Sequence, residues 1–285
     1  MDQRRRNPIH NALVRLARSG SEWLIARGWA SPRLRWRVNR LEQRGFGSLI
    51  DLFRISYPNA IITVNVIMML LVLVFSQERP SGAGNLGRVS GLDSYRFGAA
   101  FTVSILRGEY WRLLTAIFLH GDFMHLIFNC VALIIIGPRI QVVYGPRRFL
   151  VLYLLTGVAG NAASVFVRAF MGESILLVGA SGSIFGLLGA GAIYGAREGG
   201  PRGDAIFKFM MMWILIGIGY SLLVRGDNMA HIGGALAGGL FAQVVRPDAS
   251  VSYHRDFWVG MEIGCLLVSL FCFILMVRSL FSGVV

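Results

Sequence analysis

The sequence predicts an all-α protein, a polytopic bundle of helices that cross a membrane. Two observations carry this prediction. Of the 285 residues, 55% are hydrophobic and only 15% are charged, whereas soluble domains carry about 25% charged residues. The mean hydropathy is +0.60, and several apolar runs reach or approach the roughly 20 residues that a helix needs to cross a bilayer.

Seven apolar segments follow a polar, arginine-rich stretch. We expect membrane-spanning helices over residues 57–75, 115–137, 149–167, 181–196, 205–224, 229–245 and 257–277. Gly137-Pro138 is expected to end the second span, because proline disrupts a helix interior. Residues 95–111 are half apolar but too interrupted to span, so we expect a partly submerged interfacial loop. The predicted domains are a basic segment, a six-span core, and a linker with a seventh span: 1–56, 57–246 and 247–285.

The basic charge indicates a membrane protein rather than a nucleic-acid binder. The net charge is +13, but most arginines lie before the first span or in short loops between spans, which is the positive-inside pattern. Arg139, Arg147 and Arg148 share one such loop, so the N-terminus is predicted to be cytoplasmic. The segment 1–56 is expected to form either amphipathic helices on an anionic membrane face or a poorly ordered tail.

Three polar clusters interrupt the apolar spans. Gly179-Ala180-Ser181-Gly182 opens the fourth span, His125 and Asn129 lie early in the second, and His231 lies early in the sixth. Because alternate spans run in the same direction, all three clusters are expected at the same, outer depth of the membrane. Polar residues within spans are costly and usually functional, so we interpret the clusters as one site.

The spacing of small residues predicts that the fourth and sixth spans touch. Gly182, Gly186 and Ala190 recur every four residues on one span, and Ala230, Gly234 and Gly238 do so on the other, a pattern that lets two helix backbones approach closely. Ser181 would then meet His231 as its base. Phe185, four residues after Ser181, would stack on the imidazole.

Other chemistries are excluded by elimination. Lys208, the only lysine, lies at the cytoplasmic end, and spans one to six offer no obvious Asp or Glu candidate for a third catalytic member, so a two-residue Ser–His site remains. Glu262, in the seventh span, is expected to reach water at the inner face. The motif HExxH is absent, and the three cysteines show neither metal-ligand spacing nor a disulfide framework.

An acyl-transfer site also needs hydrogen-bond donors for the oxyanion, and the candidates are His125, Asn129 and the Ser181 backbone N–H. His120 could join these donors or bind water.

Taken in order, these residues resemble the rhomboid intramembrane serine proteases. The likeness rests on Trp111-Arg112, His120, His125-x-x-x-Asn129, Gly179-Ala180-Ser181-Gly182 and Ala230-His231-x-x-Gly234-x-x-x-Gly238. The resemblance implies a six-helix core with one further C-terminal helix. It implies that Ser181 is the nucleophile, that His231 is the general base, and that His125 and Asn129 stabilise the oxyanion with the Ser181 N–H. Supporting roles would fall to His120, Phe185, Trp111, Arg112, Gly179, Gly182 and Gly234.

The resemblance also implies the substrate. It predicts cleavage of the transmembrane segments of other membrane proteins near the outer face, without a metal, nucleotide or other cofactor. The compact loops and the arginine-rich usage predict the plasma membrane of a bacterium as the location, with the lipid bilayer and substrate proteins as partners. Two alternatives stay open: a catalytically silent, rhomboid-like protein that binds membrane clients, and a haem- or ion-handling protein that uses the histidines. Gln141 stands where the family often has Glu, which puts one structural contact in question.

Overall fold

The computed structural model of the protein describes residues 56–77, 87–224, 226–247 and 255–281. Seven long helices dominate this part of the chain: α1 (Tyr57–Val74), α5 (Phe123–Tyr144), α6 (Pro146–Phe170), α7 (Ser181–Glu198), α8 (Gly200–Leu223), α9 (Asn228–Val244) and α10 (Arg255–Phe281). The shorter elements are α2 (Gly91–Arg96), β1 (Ala100–Phe101), α3 (Thr102–Leu106), α4 (Arg112–Thr115), a 3₁₀ turn (Ala116–Phe118) and β2 (Leu176–Leu177). The prediction of an all-α helical bundle is confirmed. The basic segment up to residue 55 and the linker residues 248–254 lie outside the described residues.

Five helices of the described chain, α1, α5, α6, α8 and α10, are long and apolar enough to cross a membrane. The most apolar stretches of α8 and α10 are only 17% and 11% buried, so their surfaces are suited to lipid. α7, with 18 residues of which most are buried, lies inside the bundle and contacts α5, α6, α8 and α9. α9, with 17 residues, packs one face on α6 and α7 and leaves apolar side chains such as Leu236 and Leu240 exposed. The protein is therefore an integral, multi-pass membrane protein.

The second predicted span is displaced along the chain. α5 begins at Phe123, where the Asp122 carboxylate accepts a hydrogen bond from the His125 backbone N–H at 2.7 Å, and residues 115–118 belong instead to α4 and the 3₁₀ turn. The expectation that Gly137-Pro138 ends this span is wrong, because α5 continues through Pro138 to Tyr144. Pro58 of α1 packs on Gly137, and the buried residues beyond, such as Ile140, hold the helix in place despite the lost hydrogen bond.

The loop between α1 and α5 packs as a small unit with its own core. Ala100, Ile105 and Ala116 are fully buried, and they pack with Leu177 from the segment before α7. β1 and β2 form an antiparallel pair that places Ala100 opposite Leu177. The segment that leads to Ser181 is therefore held inside the protein by this loop, as expected for a connection that dips below the surface.

The contact between α7 and α9 is made by glycines. A Cβ added to Gly234 would overlap the carbonyl oxygen of Gly182, and one added to Gly238 would overlap that of Gly186. Only residues without side chains allow this approach, so the predicted small-residue ridges are confirmed. The two helix starts, with Ser181 and His231, are consequently fixed side by side.

A polar cluster joins α1, α5, α6 and α10. Its member on α5, Gln141, lies about 24 Å along the helix from His125. The Glu262 carboxylate of α10 accepts hydrogen bonds from the Tyr57 hydroxyl and, at 2.9 Å, from Nε of Arg147. The Gln141 side-chain oxygen accepts a hydrogen bond from the Tyr57 backbone N–H at 2.9 Å. Glu262 therefore does not extend freely to water as expected, because a cation on α6 and a hydroxyl on α1 are within its reach. Gln141 keeps an acceptor at the position where the resemblance predicts a carboxylate.

We expect the Glu262–Arg147 pair to contribute about 0.5–1 kcal/mol to stability, since Arg147 is partly exposed and water screens the pair. The measurement is a double-mutant cycle with Glu262→Gln and Arg147→Gln, using unfolding of the detergent-solubilised chain. The more exposed Glu198–Arg202 pair, replaced in the same way, serves as the control and should couple by about 0.3 kcal/mol. Equal coupling in the two cycles would contradict a specific role of Glu262 in attaching α10.

Candidate active site

Ser181 and His231 are hydrogen-bonded across the contact between α7 and α9. The Oγ atom of Ser181, the first residue of α7, lies 2.9 Å from Nε2 of His231, the fourth residue of α9. The imidazole is 8% exposed, so water competes little for this hydrogen bond. The distance is one over which a proton can pass from the hydroxyl to the ring.

Phe185 covers one face of this imidazole. The two ring centroids are 4.2 Å apart and the ring planes differ by 3°, so the predicted stacking is confirmed. Phe185 lies one helical turn after Ser181, and α8 closes behind it: a Cβ on Gly217 would lie 2.6 Å from the phenyl ring. The phenyl ring is therefore held from behind and limits tilting of the imidazole.

His125 and Asn129 line the approach to Ser181 from α5. A Cβ on Gly179 would lie 2.8 Å from the His125 imidazole, and the φ angle of Gly179 is +130°, so glycine is required there on both counts. Asn129, 6% exposed, donates one amide hydrogen to the His125 carbonyl oxygen at 2.9 Å. Its second amide hydrogen remains for another acceptor. Backbone amides in the first turn of α7, starting at Ser181, also have no helical acceptor.

His120 lies behind His125 rather than beside Ser181. The two imidazoles meet edge to face with centroids 5.1 Å apart, and His120 is 3% exposed, with neither ring nitrogen hydrogen-bonded within the described part of the chain. Burial lowers the pKa of His120 to about 3, so this ring is neutral at physiological pH. The structure thus places His120 as a packing partner of His125.

Trp111 and Arg112 lie in the loop unit, away from the Ser181 hydroxyl. The Arg112 guanidinium is 1% exposed, donates to the Tyr95 carbonyl at 2.6 Å, and lies over the Tyr95 and Trp111 rings at 4.2 and 4.4 Å. Its charge is balanced by Glu109. These contacts hold together the loop unit, whose β1 pairs with β2 in the segment that leads to Ser181.

Two polar residues at the start of α9 were missed by the sequence analysis. The Asp227 carboxylate caps α9 by accepting from the Met229 and Ala230 N–H groups at 2.8 and 3.2 Å. Its other oxygen accepts from Ser164 and Arg168 of α6. Asn228 Oδ1 lies 3.3 Å from Nδ1 of His231. The signal that was available is an acidic residue directly before a helical pattern, which predicts an N-cap.

The candidate site opens into a cavity of about 1130 Å³ between α5, α7, α8 and α9. Its walls include the site residues Ser181, His231, His125 and Asn129, together with apolar and aromatic side chains such as Phe128, Trp213 and Tyr220. The Phe128 and Tyr220 rings, on α5 and α8, approach to 4.4 Å between their centroids. The volume accommodates a short stretch of polypeptide, since ligand pockets are commonly about 300–1,000 Å³.

Comparison with known proteins points to one family. The sequence model of the Rhomboid domain matches residues 107–248. The chain is 40% identical to Rhomboid protease GluP of Bacillus subtilis (strain 168) over 147 residues, and this stretch covers 51% of this chain and 28% of that protein. It is 36% identical to RHOMBOID-like protein 5 of Arabidopsis thaliana over 158 residues, a stretch that covers 54% of this chain and 50% of that protein. It is 30% identical to the rhomboid relative YdcA of Bacillus subtilis (strain 168) over 143 residues, a stretch that covers 50% of this chain and 70% of that protein.

The chain spans half or less of the length of GluP and RHOMBOID-like protein 5. With YdcA, in contrast, the match covers 70% of the relative. The stretch matched by the Rhomboid domain begins in the loop unit and ends beyond α9, so it contains Ser181 and His231 together with the elements that hold them. From these matches, the chain belongs to the rhomboid family.

Proposed function

We propose that this protein is an intramembrane serine endopeptidase that cleaves transmembrane segments of other membrane proteins near the outer face of the membrane. Ser181 is the nucleophile and His231 is the general base. The observation that carries the proposal is the 2.9 Å hydrogen bond between Ser181 Oγ and His231 Nε2. It lies in the wall of the cavity between α5, α7, α8 and α9. A serine needs such a base to act as a nucleophile.

In the proposed reaction, His231 Nε2 accepts the Ser181 hydroxyl proton as Oγ attacks the carbonyl carbon of the scissile peptide bond. The tetrahedral intermediate collapses when the C–N bond breaks, and the imidazolium gives its proton to the leaving nitrogen. The same imidazole then takes a proton from water as the water oxygen attacks the acyl carbon. When the ester bond to Ser181 Oγ breaks, the imidazolium returns this proton to Oγ and the carboxylic acid product is released. Phe185, stacked on the ring, keeps its orientation constant through these steps.

The negative charge of the tetrahedral intermediate is stabilised by donors on two helices. The Ser181 backbone N–H at the start of α7 is one donor, and His125 and Asn129 of α5, which line the same cavity, are the others.

We expect Asn129→Ala to lower kcat about 100-fold with little change in KM, because the lost donor acts on the transition state. The measurement is reporter cleavage at saturating and limiting substrate. A rise in KM alone would instead assign Asn129 to substrate binding.

The proposal is tested with the full chain in liposomes, together with a reporter protein that has one transmembrane segment flanked by two tags. We expect cleavage of the reporter, and covalent labelling by an alkyl fluorophosphonate at Ser181, located by peptide mass spectrometry. Ser181→Ala should lose both. Ser183→Ala, which removes a buried hydroxyl two residues further on, should keep both. Cleavage by the Ser181→Ala variant would contradict the proposal, and a reporter that binds without being cut would favour the client-binding alternative.

The proposal includes the placement of the domains. The segment 1–56 is cytoplasmic, 57–246 is the catalytic core, and the seventh span within 247–285 is added to that core, in the plasma membrane of a bacterium. The supporting observation is the concentration of arginines around the helix ends on one side, such as Arg139 in the last turns of α5 and Arg147 in the first turn of α6. A tag fused to the N-terminus should resist protease added to intact cells and should be digested after the cells are opened.

The contacts of His231 favour proton transfer over haem or ion binding by this residue. Both ring nitrogens of His231 have polar partners within the protein, Ser181 and Asn228. A histidine that binds a metal needs one ring nitrogen available to the ion. The arrangement found here instead uses one nitrogen toward a hydroxyl and the other toward an amide, which suits proton transfer.

A further inference from the structure

His231 has a second polar contact that a two-residue Ser–His site does not use. Its Nδ1 atom lies 3.3 Å from Oδ1 of Asn228, while Nε2 lies 2.9 Å from Ser181 Oγ. Asn228 is three residues earlier on α9, so the two side chains share one helix face. We propose that Asn228 is a positioning residue that keeps His231 in the tautomer that accepts the Ser181 proton. This inference rests on the proposed function.

The tautomer argument follows from the two ring nitrogens. A neutral imidazole carries one N–H and one lone pair, so Nε2 accepts the Ser181 proton only when the ring hydrogen is on Nδ1. The amide oxygen of Asn228 accepts that hydrogen. Once the ring has taken the serine proton, the same Nδ1–H belongs to a cation, and its hydrogen bond to the amide becomes stronger. Asn228 therefore favours the charged intermediate, and the proton stays on Nδ1 throughout.

The neighbouring carboxylate does not fill this role. Asp227 precedes Asn228, but its two oxygens accept from the Met229 and Ala230 N–H groups and from the Ser164 and Arg168 side chains. These four bonds direct Asp227 toward the helix start and α6. The contact to Nδ1 is left to an uncharged amide. Phe185 restricts the tilt of the ring from one face, and Asn228 fixes its rotation from the edge.

The charged and titratable groups around His231 come from three elements. Asp227 at the start of α9 and His125 on α5 interact electrostatically with the ring, and Arg168 on α6 pairs with Asp227. A substitution of Asn228 leaves all three in place. A shift in the pH dependence of such a variant therefore reports the contact between Asn228 and the ring.

The test compares Asn228→Ala and Asn228→Asp with the unmodified full chain in liposomes, measuring kcat and KM for the reporter as a function of pH. We expect Asn228→Ala to lower kcat about 10- to 100-fold with KM within about twofold. Its acid limb should move to lower pH, because the imidazolium has lost an acceptor. Asn228→Asp keeps an acceptor and adds a negative charge, so it should retain activity and move the acid limb to higher pH. Met229→Ala, at an exposed position, is the control and should change neither quantity.

A second measurement separates this inference from the proposed function. The ¹⁵N chemical shifts of labelled histidine report which ring nitrogen carries the hydrogen, whether or not the protein cleaves anything. We expect the hydrogen on Nδ1 of His231 in the unmodified chain and a mixture of tautomers in Asn228→Ala. Unchanged ¹⁵N shifts, or an unmoved acid limb, in Asn228→Ala would overturn the inference. Absence of cleavage by the unmodified chain would overturn the proposed function alone, and the ¹⁵N shifts would still decide the role of Asn228.

Discussion

Replacing His231 with alanine is expected to lower reporter cleavage about 10⁴-fold or more and to abolish fluorophosphonate labelling of Ser181. The physical reason is that the Ser181 hydroxyl loses the acceptor 2.9 Å away, and a neutral hydroxyl is a weak nucleophile. The double variant Ser181→Ala/His231→Ala should be no slower than either single variant, because the two side chains act as one unit. The measurement is the rate of reporter cleavage in liposomes, which is followed over days for the slow variants.

The loss of cleavage in His231→Ala can be assigned to the missing base only if the variant remains folded. His231 is packed on Phe185, so some stability is lost with the ring, and the thermal unfolding of the variant has to be recorded beside its activity. A variant that unfolds below the assay temperature is replaced with His231→Gln, which keeps much of the volume but cannot accept and return a proton. Labelling of Ser181 at the normal rate in either folded variant would mean that a different base serves the serine.

Replacing Gly238 with alanine is expected to separate α7 from α9 and to lower activity about 100-fold. The added methyl group would overlap the Gly186 carbonyl oxygen, and backbone on both sides cannot move aside as a side chain can. Overpacking of this kind costs about 1–3 kcal/mol or more. A shift of about 1 Å between the helices also lengthens the distance between Ser181 and His231, on which proton transfer depends.

The adjacent residue is the matched control for this prediction. A Cβ on Gly239 would lie 3.6 Å from the Ile193 side chain, an ordinary contact, so Gly239→Ala should keep activity and unfold at the temperature of the unmodified chain or slightly above it. Unfolding temperature and reporter cleavage are measured for both variants. Equal behaviour of Gly238→Ala and Gly239→Ala would show that the glycine contact does not set the geometry of the site.

The parts of the fold that depend on composition and spacing were predictable from the sequence. The small residues at every fourth position of α7 and α9 predicted a close contact, and the structure confirms it at Gly234 and Gly238. The stacking of Phe185 on His231 was also expected. In both cases residues on the same helix are spaced four apart, so each pattern can be recognised within a few turns of one helix.

Features that depend on tertiary contacts were not predictable. The sequence rule for proline ends α5 at Pro138, yet packing against α1 at Gly137 sustains the helix to Tyr144. The pairing of Ala100 with Leu177 joins segments far apart in the chain and has no local signature. Asn228 was missed for a different reason: it lies three residues before His231 on one helix face, but a single asparagine at a helix start is usually explained by capping.

The hydrogen bond between Tyr57 and Glu262 has a consequence for how the protein is made. The two residues are 205 positions apart, at the first and the last of the described helices. While a ribosome synthesises the chain, α1 enters the membrane long before its partner exists, and the Tyr57 hydroxyl meets Glu262 only after all the intervening spans have been inserted. The contact between α1 and α10 therefore forms late in biogenesis, and translation products that stop before α10 lack it.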